Sequence, residues 1–237
     1  MLVTNLPHPQ PSPTRSPRPS RRARVGLAMA ATGAALVVLL AIGAAGLGTW
    51  RGSGFRADGP ELSRLRNVLA LKPGMAVADV GAGNGQLTAV LAAEVGPNGR
   101  VYSNDLDLEQ IRATVAAARL SNVTVVQSQA DDTNLPEHCC DAIVVRRVYH
   151  HLTNPAAINA SLMRALRPGG VLAVIDFPPL VSWVWALNHG VDVRRVTQEV
   201  VAGGLQLVTV IDDWPGRGPL GSYCAVFSKR RDAPVSR

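Results

Sequence analysis

The fold of this chain is decided by Val77-Ala78-Asp79-Val80-Gly81-Ala82-Gly83-Asn84-Gly85-Gln86-Leu87-Thr88. Its three glycines alternate, after a short apolar run that predicts a strand and before a segment that predicts a helix. Such a turn lets a ligand lie against bare backbone and the positive end of a helix. Asp79 adds a carboxylate at the lip of the turn. The pattern predicts a site for an adenosine-containing cofactor and leaves its identity open.

Strand and helix patterns alternate on both sides of this turn. We predict helices at 60–71, 86–94, 107–119, 155–166 and 193–202, and strands at 76–80, 100–105, 123–127, 141–146, 171–176, 205–212 and 222–228. The expected fold is α/β: a Rossmann-like, mostly parallel seven-stranded sheet with helices on both faces and a C-terminal antiparallel strand pair. The ligand crevice is then expected at the carboxyl ends of the central strands.

The amino-terminal part differs in composition from the rest. Residues 1–24 hold six prolines, five arginines and no acidic residue, which predicts a disordered tail. Removing these five charges from the net charge of +7 leaves +2 for residues 25–237, so we expect no nucleic-acid partner. Residues 25–50 carry no charge, which predicts a transmembrane or signal-anchor helix, followed by a linker at 51–59.

This predicted helix makes the membrane the expected location, through a single N-terminal anchor. An exported protein with a twin-arginine signal at Ser20-Arg21-Arg22 is the alternative. Arginines on both sides of the apolar segment leave the orientation open. We expect the catalytic domain in the cytoplasm, because the cofactor proposed below is made there.

The spacing of the glycines narrows the choice of cofactor. A nicotinamide-binding turn usually reads G-x-G-x-x-G, and in this chain the position of its third glycine is Gln86. Asp105 lies 20 residues after Gly85, where an acid can hold ribose hydroxyls in either cofactor class. The D-x-G-x-G-x-G spacing and the closing strand pair distinguish the two cofactor classes, and they favour an adenosine-containing cofactor other than a nicotinamide dinucleotide.

Several segments, taken in order, resemble the class I S-adenosylmethionine-dependent methyltransferases, specifically their small members described as a methyltransferase domain. The resemblance covers about 60–228. It rests on Leu71–Met75, the glycine turn, Gly99–Asp105, Ala130–Pro136, Asp141–Val145 with Tyr149–Leu152, and Leu166–Gly170. It implies a methyltransferase domain at 60–229 with S-adenosyl-L-methionine as its cofactor.

The resemblance also implies which residues hold the cofactor. The glycine turn would lie against its methionine and ribose parts, Asp79 would anchor its amino end, and Asp105 would accept from both ribose hydroxyls. Leu106 would pack on the adenine, and either Asp131 or Asp132 would face the adenine amino group. The predicted cofactor-binding residues are Asp79, Gly81, Ala82, Gly83, Gly85, Asp105, Leu106, Asp131, Asp132 and Arg146.

Catalysis of methyl transfer needs a base only when the acceptor must lose a proton early. Tyr149, His150 and His151 are the candidate catalytic residues, since they follow the strand toward which the methyl should point. The alternative is that His150 and His151 belong to a turn leading into a helix, where they form hydrogen bonds with the backbone and have no catalytic role. The acceptor is predicted to be a small molecule or a membrane-associated lipid or quinone.

Metal chemistry is not expected. Adjacent Cys139 and Cys140 chelate one ion poorly, because neighbouring side chains on an extended chain point apart. Two arginines after the fourth strand disfavour a Mg²⁺ site. An NAD(P)-dependent oxidoreductase and a non-catalytic cofactor-binding protein of the same fold remain the alternative functions.

Overall fold

The computed structural model describes residues 59–179, 189–215 and 221–231. The predicted tail, the apolar segment at 25–50 and residues 51–58 of the linker lie outside these ranges. Within the described residues, no helix is long and apolar enough to span a bilayer. The elements are α1 (Pro60–Val68), β1 (Ala76–Val80), α2 (Gln86–Val95), β2 (Arg100–Asp105), α3 (Glu109–Ala117), β3 (Val123–Gln127), β4 (Cys140–Arg146), α4 (Pro155–Ala165), β5 (Leu166–Asp176), α5 (Val193–Ala202), β6 (Gln206–Trp214) and β7 (Ser222–Ser228), with a 3₁₀ turn at Tyr149–His151.

The seven strands form one sheet in the order β3-β2-β1-β4-β5-β7-β6. The first five run parallel, and β7 runs antiparallel to both β5 and β6. The predicted fold class and its C-terminal antiparallel pair are therefore confirmed. The chain reverses its direction of winding between β1 and β4, which is where open α/β sheets bind their ligands.

Helices cover both faces of this sheet and bury its apolar strands. On one face α1 and α2 pack on the sheet around Leu65, Leu91 and Val77. On the other face α4 and α5 pack around Leu162 and Val196. All five residues of β1 are buried, as expected for a central parallel strand covered on both sides. The rigid centre of the sheet thus fixes the strand ends from which the glycine turn departs.

The start of β5 differs from the predicted strand at 171–176. The structure begins β5 at Leu166, directly after α4, whereas the sequence predicted that the strand begins only at Val171, after Gly169 and Gly170. The backbone N–H of Gly169 donates to the Lys229 carbonyl at 3.0 Å, and the Lys229 N–H donates to the Gly170 carbonyl at 2.9 Å. Gly169 and Lys229 are 60 positions apart, so a local sequence pattern cannot predict that they pair.

The cysteines lie away from the glycine turn. Cys139 and Cys140 form a vicinal disulfide at the start of β4, and Cys224 is free and buried in β7. Among the described residues, no group of three or more His, Cys, Asp or Glu side chains could hold a metal ion.

Candidate functional site

The glycine turn leaves β1 and folds back against the end of β2. The N–H groups of Gly81 and Ala82 donate to the carbonyl of Asn104 at 2.8 and 3.0 Å. Gly81 has φ of +72°, and a Cβ at this position would collide with the side chain of Val148. A left-handed backbone and a packed neighbour both demand glycine there.

Asp105, the predicted ribose acid, closes this turn from the other side. Its Oδ2 accepts from the Gly83 N–H at 2.8 Å, and its Oδ1 accepts from the Leu106 N–H at 2.7 Å. Gly83 has φ of +55°, and no atom lies within 4 Å of the place a Cβ would take. The turn therefore offers open backbone beside a partly exposed carboxylate, as a ribose with vicinal hydroxyls requires.

A cavity of about 350 Å³ opens at this point, in the size range of small-molecule sites. The predicted residues Gly81, Asp105 and Leu106 line it, and the Leu106 side chain stands 63% exposed. Its other walls come from the ends of β1 and β2 and from loops after β3 and β4. Residues there that the sequence did not single out are Ser128, Gln129, Thr133, Val148, Leu152, Thr153 and Ile158.

Asp79 is placed beneath the turn rather than at its open face. Its side chain is buried, and its Oδ2 accepts from the Thr88 hydroxyl at 2.7 Å, which in turn lies 2.7 Å from the Ser103 hydroxyl. Burial raises the pKa of Asp79 to about 6, against the opposing effects of the Thr88 hydrogen bond and the Arg146 charge. The carboxylate is thus costly to ionise in the free protein.

The two acids predicted to compete for the adenine occupy different surroundings. Asp131 is exposed. Asp132 accepts from the Asn134 N–H, the Ser161 hydroxyl and Arg164, each at 2.8 Å. These hydrogen bonds hold the pKa of Asp132 below its usual value, and the Asn134 N–H contributes more than the Ser161 hydroxyl. Both carboxylates lie outside the cavity lining, and that of Asp132 is committed to tying its loop to α4.

Arg146 ends β4 and makes a two-pronged ion pair with Glu61 of α1. Its Nε and Nη2 donate to the two carboxylate oxygens at 2.9 Å each, and both side chains are largely buried. The Trp214 indole N–H donates to the same carboxylate at 3.1 Å. The structure therefore places the predicted cofactor-binding arginine in a bridge between β4, α1 and the end of β6.

The three catalytic candidates have different partners. The buried Tyr149 hydroxyl donates to Glu199 at 3.0 Å and accepts from Asn159 at 2.8 Å, which turns it toward α5, and burial raises its pKa. His151 lines the cavity. The His150 side chain is buried and contacts Asp176 at the end of β5, a residue that the sequence did not single out.

The chain is similar to known proteins in both sequence and fold. Residues 78–174 match the family model described as "Methyltransferase domain". The chain is 34% identical over 110 residues to the ubiquinone/menaquinone biosynthesis C-methyltransferase UbiE of Shewanella pealeana, and that match covers 45% of this chain and 44% of the relative. The chain thus spans less than half the length of this curated relative.

Two solved structures share the fold. A SAM-dependent methyltransferase from Aquifex aeolicus aligns with a TM-score of 0.60 at 24% identity, over 71% of this chain and 89% of that one. The phosphoethanolamine N-methyltransferase 2 of Haemonchus contortus, solved with S-adenosyl-L-methionine, aligns with a TM-score of 0.56 at 18% identity, over 64% and 38%. At these identities the likeness shows the fold.

The sheet order, the glycine turn and the match at 78–174 agree with one another. Residues 78–174 therefore match a methyltransferase domain, in agreement with the predicted class I methyltransferase and its predicted cofactor, S-adenosylmethionine. The open backbone at Gly83 and the adjoining Asp105 carboxylate fit the ribose of that cofactor. The proteins named above lend no support to the oxidoreductase or to the non-catalytic alternative.

Proposed function

We propose that this protein transfers the methyl group of S-adenosylmethionine to a small or membrane-associated acceptor, with the ring carbon of a hydroquinone as the first acceptor to test. The observation that carries the donor half is Asp105 bonded to Gly83 at the mouth of the cavity. The acceptor half is supported by the name of the UbiE relatives, which methylate carbon in ubiquinone and menaquinone biosynthesis.

A transfer assay with radiolabelled methyl donor tests this function. The purified protein is incubated with a short-chain demethylated naphthoquinol, a catechol, a primary amine and a fatty acid in parallel reactions. We expect label in the naphthoquinol product and a matching release of S-adenosylhomocysteine. Label only in the amine or the fatty acid would refute the hydroquinone assignment while keeping the methyltransferase.

Calorimetry separates the methyltransferase from the alternative functions. We expect S-adenosylhomocysteine to bind and NADH not to bind. Binding of NADH alone would overturn the proposed cofactor chemistry.

We further propose that the apolar segment 25–50 anchors the protein in the membrane, with the catalytic domain in the cytoplasm. The support is the uncharged run of 26 residues, and a lipid-soluble acceptor would suit such an anchor. Membrane fractionation should recover the protein in the pellet after a high-salt wash. A reporter fused after Arg237 should be active in the cytoplasm, and activity only outside the membrane would contradict the proposed orientation.

A further inference from the structure

The ring of His150 is held against the carboxylate of Asp176 at the carboxyl ends of β4 and β5. Its Nδ1 lies 2.9 and 3.0 Å from the two carboxylate oxygens, and its backbone N–H donates to Oδ2 at 3.2 Å. The two side chains are only 5% and 0% exposed. A carboxylate accepts hydrogen bonds, so Nδ1 carries the hydrogen, and in the neutral ring the lone pair lies on Nε2.

Nε2 of the same ring is buried and has no hydrogen-bond partner among the described residues. Buried polar atoms in native proteins are nearly always bonded, so an orphan atom points to a group that binds beside it. The ring of His151, with its centroid 4.0 Å away, itself lines the donor cavity. The ring of His150 is thus in contact with a residue of the cavity lining, although His150 itself is not part of that lining.

Other rings and charges face this histidine from several segments. The centroids of the Phe177 and His189 rings lie 5.0 and 6.2 Å from that of His150. Burial, with the neighbouring His150 and His189, holds the pKa of His151 below its usual value. Burial likewise lowers the pKa of Arg147, against the opposing effect of the Asp176 charge. The Nε of Arg147 has no hydrogen-bond partner among the described residues. Asp176 is the carboxylate that contacts the ring.

We propose that His150 is the catalytic base of this site and that Asp176 is its positioning residue. Nε2 takes a hydroxyl proton from the acceptor, which must therefore carry an acidic hydroxyl, as the phenols and hydroquinones of the proposed function do. Asp176 acts through the ring, because it fixes the tautomer that leaves Nε2 free to accept. The inference rests on the proposed function and adds to it the group that activates the acceptor.

Methyl transfer to a ring carbon begins with loss of the hydroxyl proton of the acceptor. The hydroxyl proton moves to Nε2, and the electron pair released into the ring forms the bond between a ring carbon and the methyl group. The bond from that methyl to sulfur breaks, and its electron pair stays on sulfur as a neutral thioether. The ring carbon then loses its hydrogen to solvent as a proton, and the imidazolium returns its proton to the oxygen. One proton is released per turnover.

The first test reads the ring without turnover. Long-range ¹H–¹⁵N spectra of the protein saturated with S-adenosylhomocysteine distinguish a protonated from an unprotonated ring nitrogen, and His150→Gln assigns the signal. We expect a neutral ring protonated on Nδ1 in the wild type and a shift toward the Nε2-protonated form in Asp176→Asn. An Nε2-protonated neutral ring in the wild type would overturn the inference.

The second test is kinetic and uses the naphthoquinol acceptor. We expect His150→Gln to lower kcat by about 10²- to 10⁴-fold, the usual contribution of a general base, with a smaller change in KM. Asp176→Asn should lower kcat and change its pH profile, which a merely structural role would not do. The matched control is His138→Asn, an exposed histidine in the loop before β4 that should leave kcat unchanged.

Binding of S-adenosylhomocysteine to each variant separates this inference from the proposed function. If the wild type fails to bind it, the proposed function fails first. If wild type and His150→Gln both bind it and methylate the naphthoquinol at the same rate, the base assignment is wrong and the proposed function stands.

Discussion

Asp79→Asn is the substitution whose effect on the free energy of unfolding follows most directly from the structure. Burial raises the pKa of Asp79 from 3.8 to about 6. Between these values the native state keeps a proton that the unfolded chain has released, so the free energy of unfolding falls as pH rises through this window. A shift of about two units corresponds to about 3 kcal/mol, of which about 2 kcal/mol lies between pH 4 and 7.

An asparagine at position 79 does not titrate and escapes this cost. We expect the stability of the variant relative to the wild type to rise by about 2 kcal/mol from pH 4 to 7. The measurement is urea unfolding, followed by tryptophan fluorescence and circular dichroism at closely spaced pH values without ligand. The difference between the two proteins isolates this one group from all others that titrate.

Asp132→Asn is the matched control. Because the pKa of Asp132 is lowered, its ionised form stabilises the fold above its ordinary pKa, and that stabilisation is lost only as pH falls below about 4. The difference between this variant and the wild type should therefore be flat above about pH 5. A flat difference for Asp79→Asn over the same range would refute the reasoning, since it would mean that the buried carboxylate is ionised without cost.

Three further substitutions test the site. Asp105→Asn should weaken S-adenosylhomocysteine binding in calorimetry by roughly 10- to 100-fold, because it replaces a charged acceptor of about 1.5–3 kcal/mol; unchanged affinity would remove Asp105 from the ribose site. Glu61→Ala should lower the free energy of unfolding by about 3–5 kcal/mol, because Arg146 loses its buried partner; Glu61→Gln combined with Arg146→Met should recover much of that loss, and no recovery would show that the charges are not what couples them. Gly81→Ala should destabilise the fold by about 1–3 kcal/mol through strain and collision with Val148; adding Val148→Ala should relieve the collision but not the left-handed backbone, so full recovery would contradict the φ argument.

Local patterns predicted most of the elements of this fold. The bounds of β1, β2, β3, α5 and β7 coincide with those predicted, because each is an apolar or amphipathic run between residues that favour turns. The start of β5 was missed because it depends on backbone pairing with Lys229. Gly169 and Gly170 do not favour a strand by themselves, and only their pairing with Lys229 places them in one.

The sequence predicted one part of the candidate site and could not predict the other. The glycine turn and Asp105 lie within one strand–helix–strand unit, and spacing alone predicted that they meet. The pairs Glu61–Arg146 and His150–Asp176 join residues 85 and 26 positions apart, and no spacing rule links them. Asp132 was weighed as an adenine ligand because its neighbours on α4 cannot be seen in the sequence of its own loop.

The antiparallel course of β7 separates the two halves of the site along the chain. Asp176 at the end of β5 stands in register with Tyr223 near the start of β7, so the loops after β5 and before β7 emerge at one edge. The cavity beside the glycine turn is lined by residues between Val80 and Ile158, all of which precede both loops in the chain. Insertions or exchanges at 177–191 or 215–221 could therefore give this scaffold a new acceptor while the methyl donor stays the same, which makes these two loops the places to graft or randomise when redirecting the enzyme.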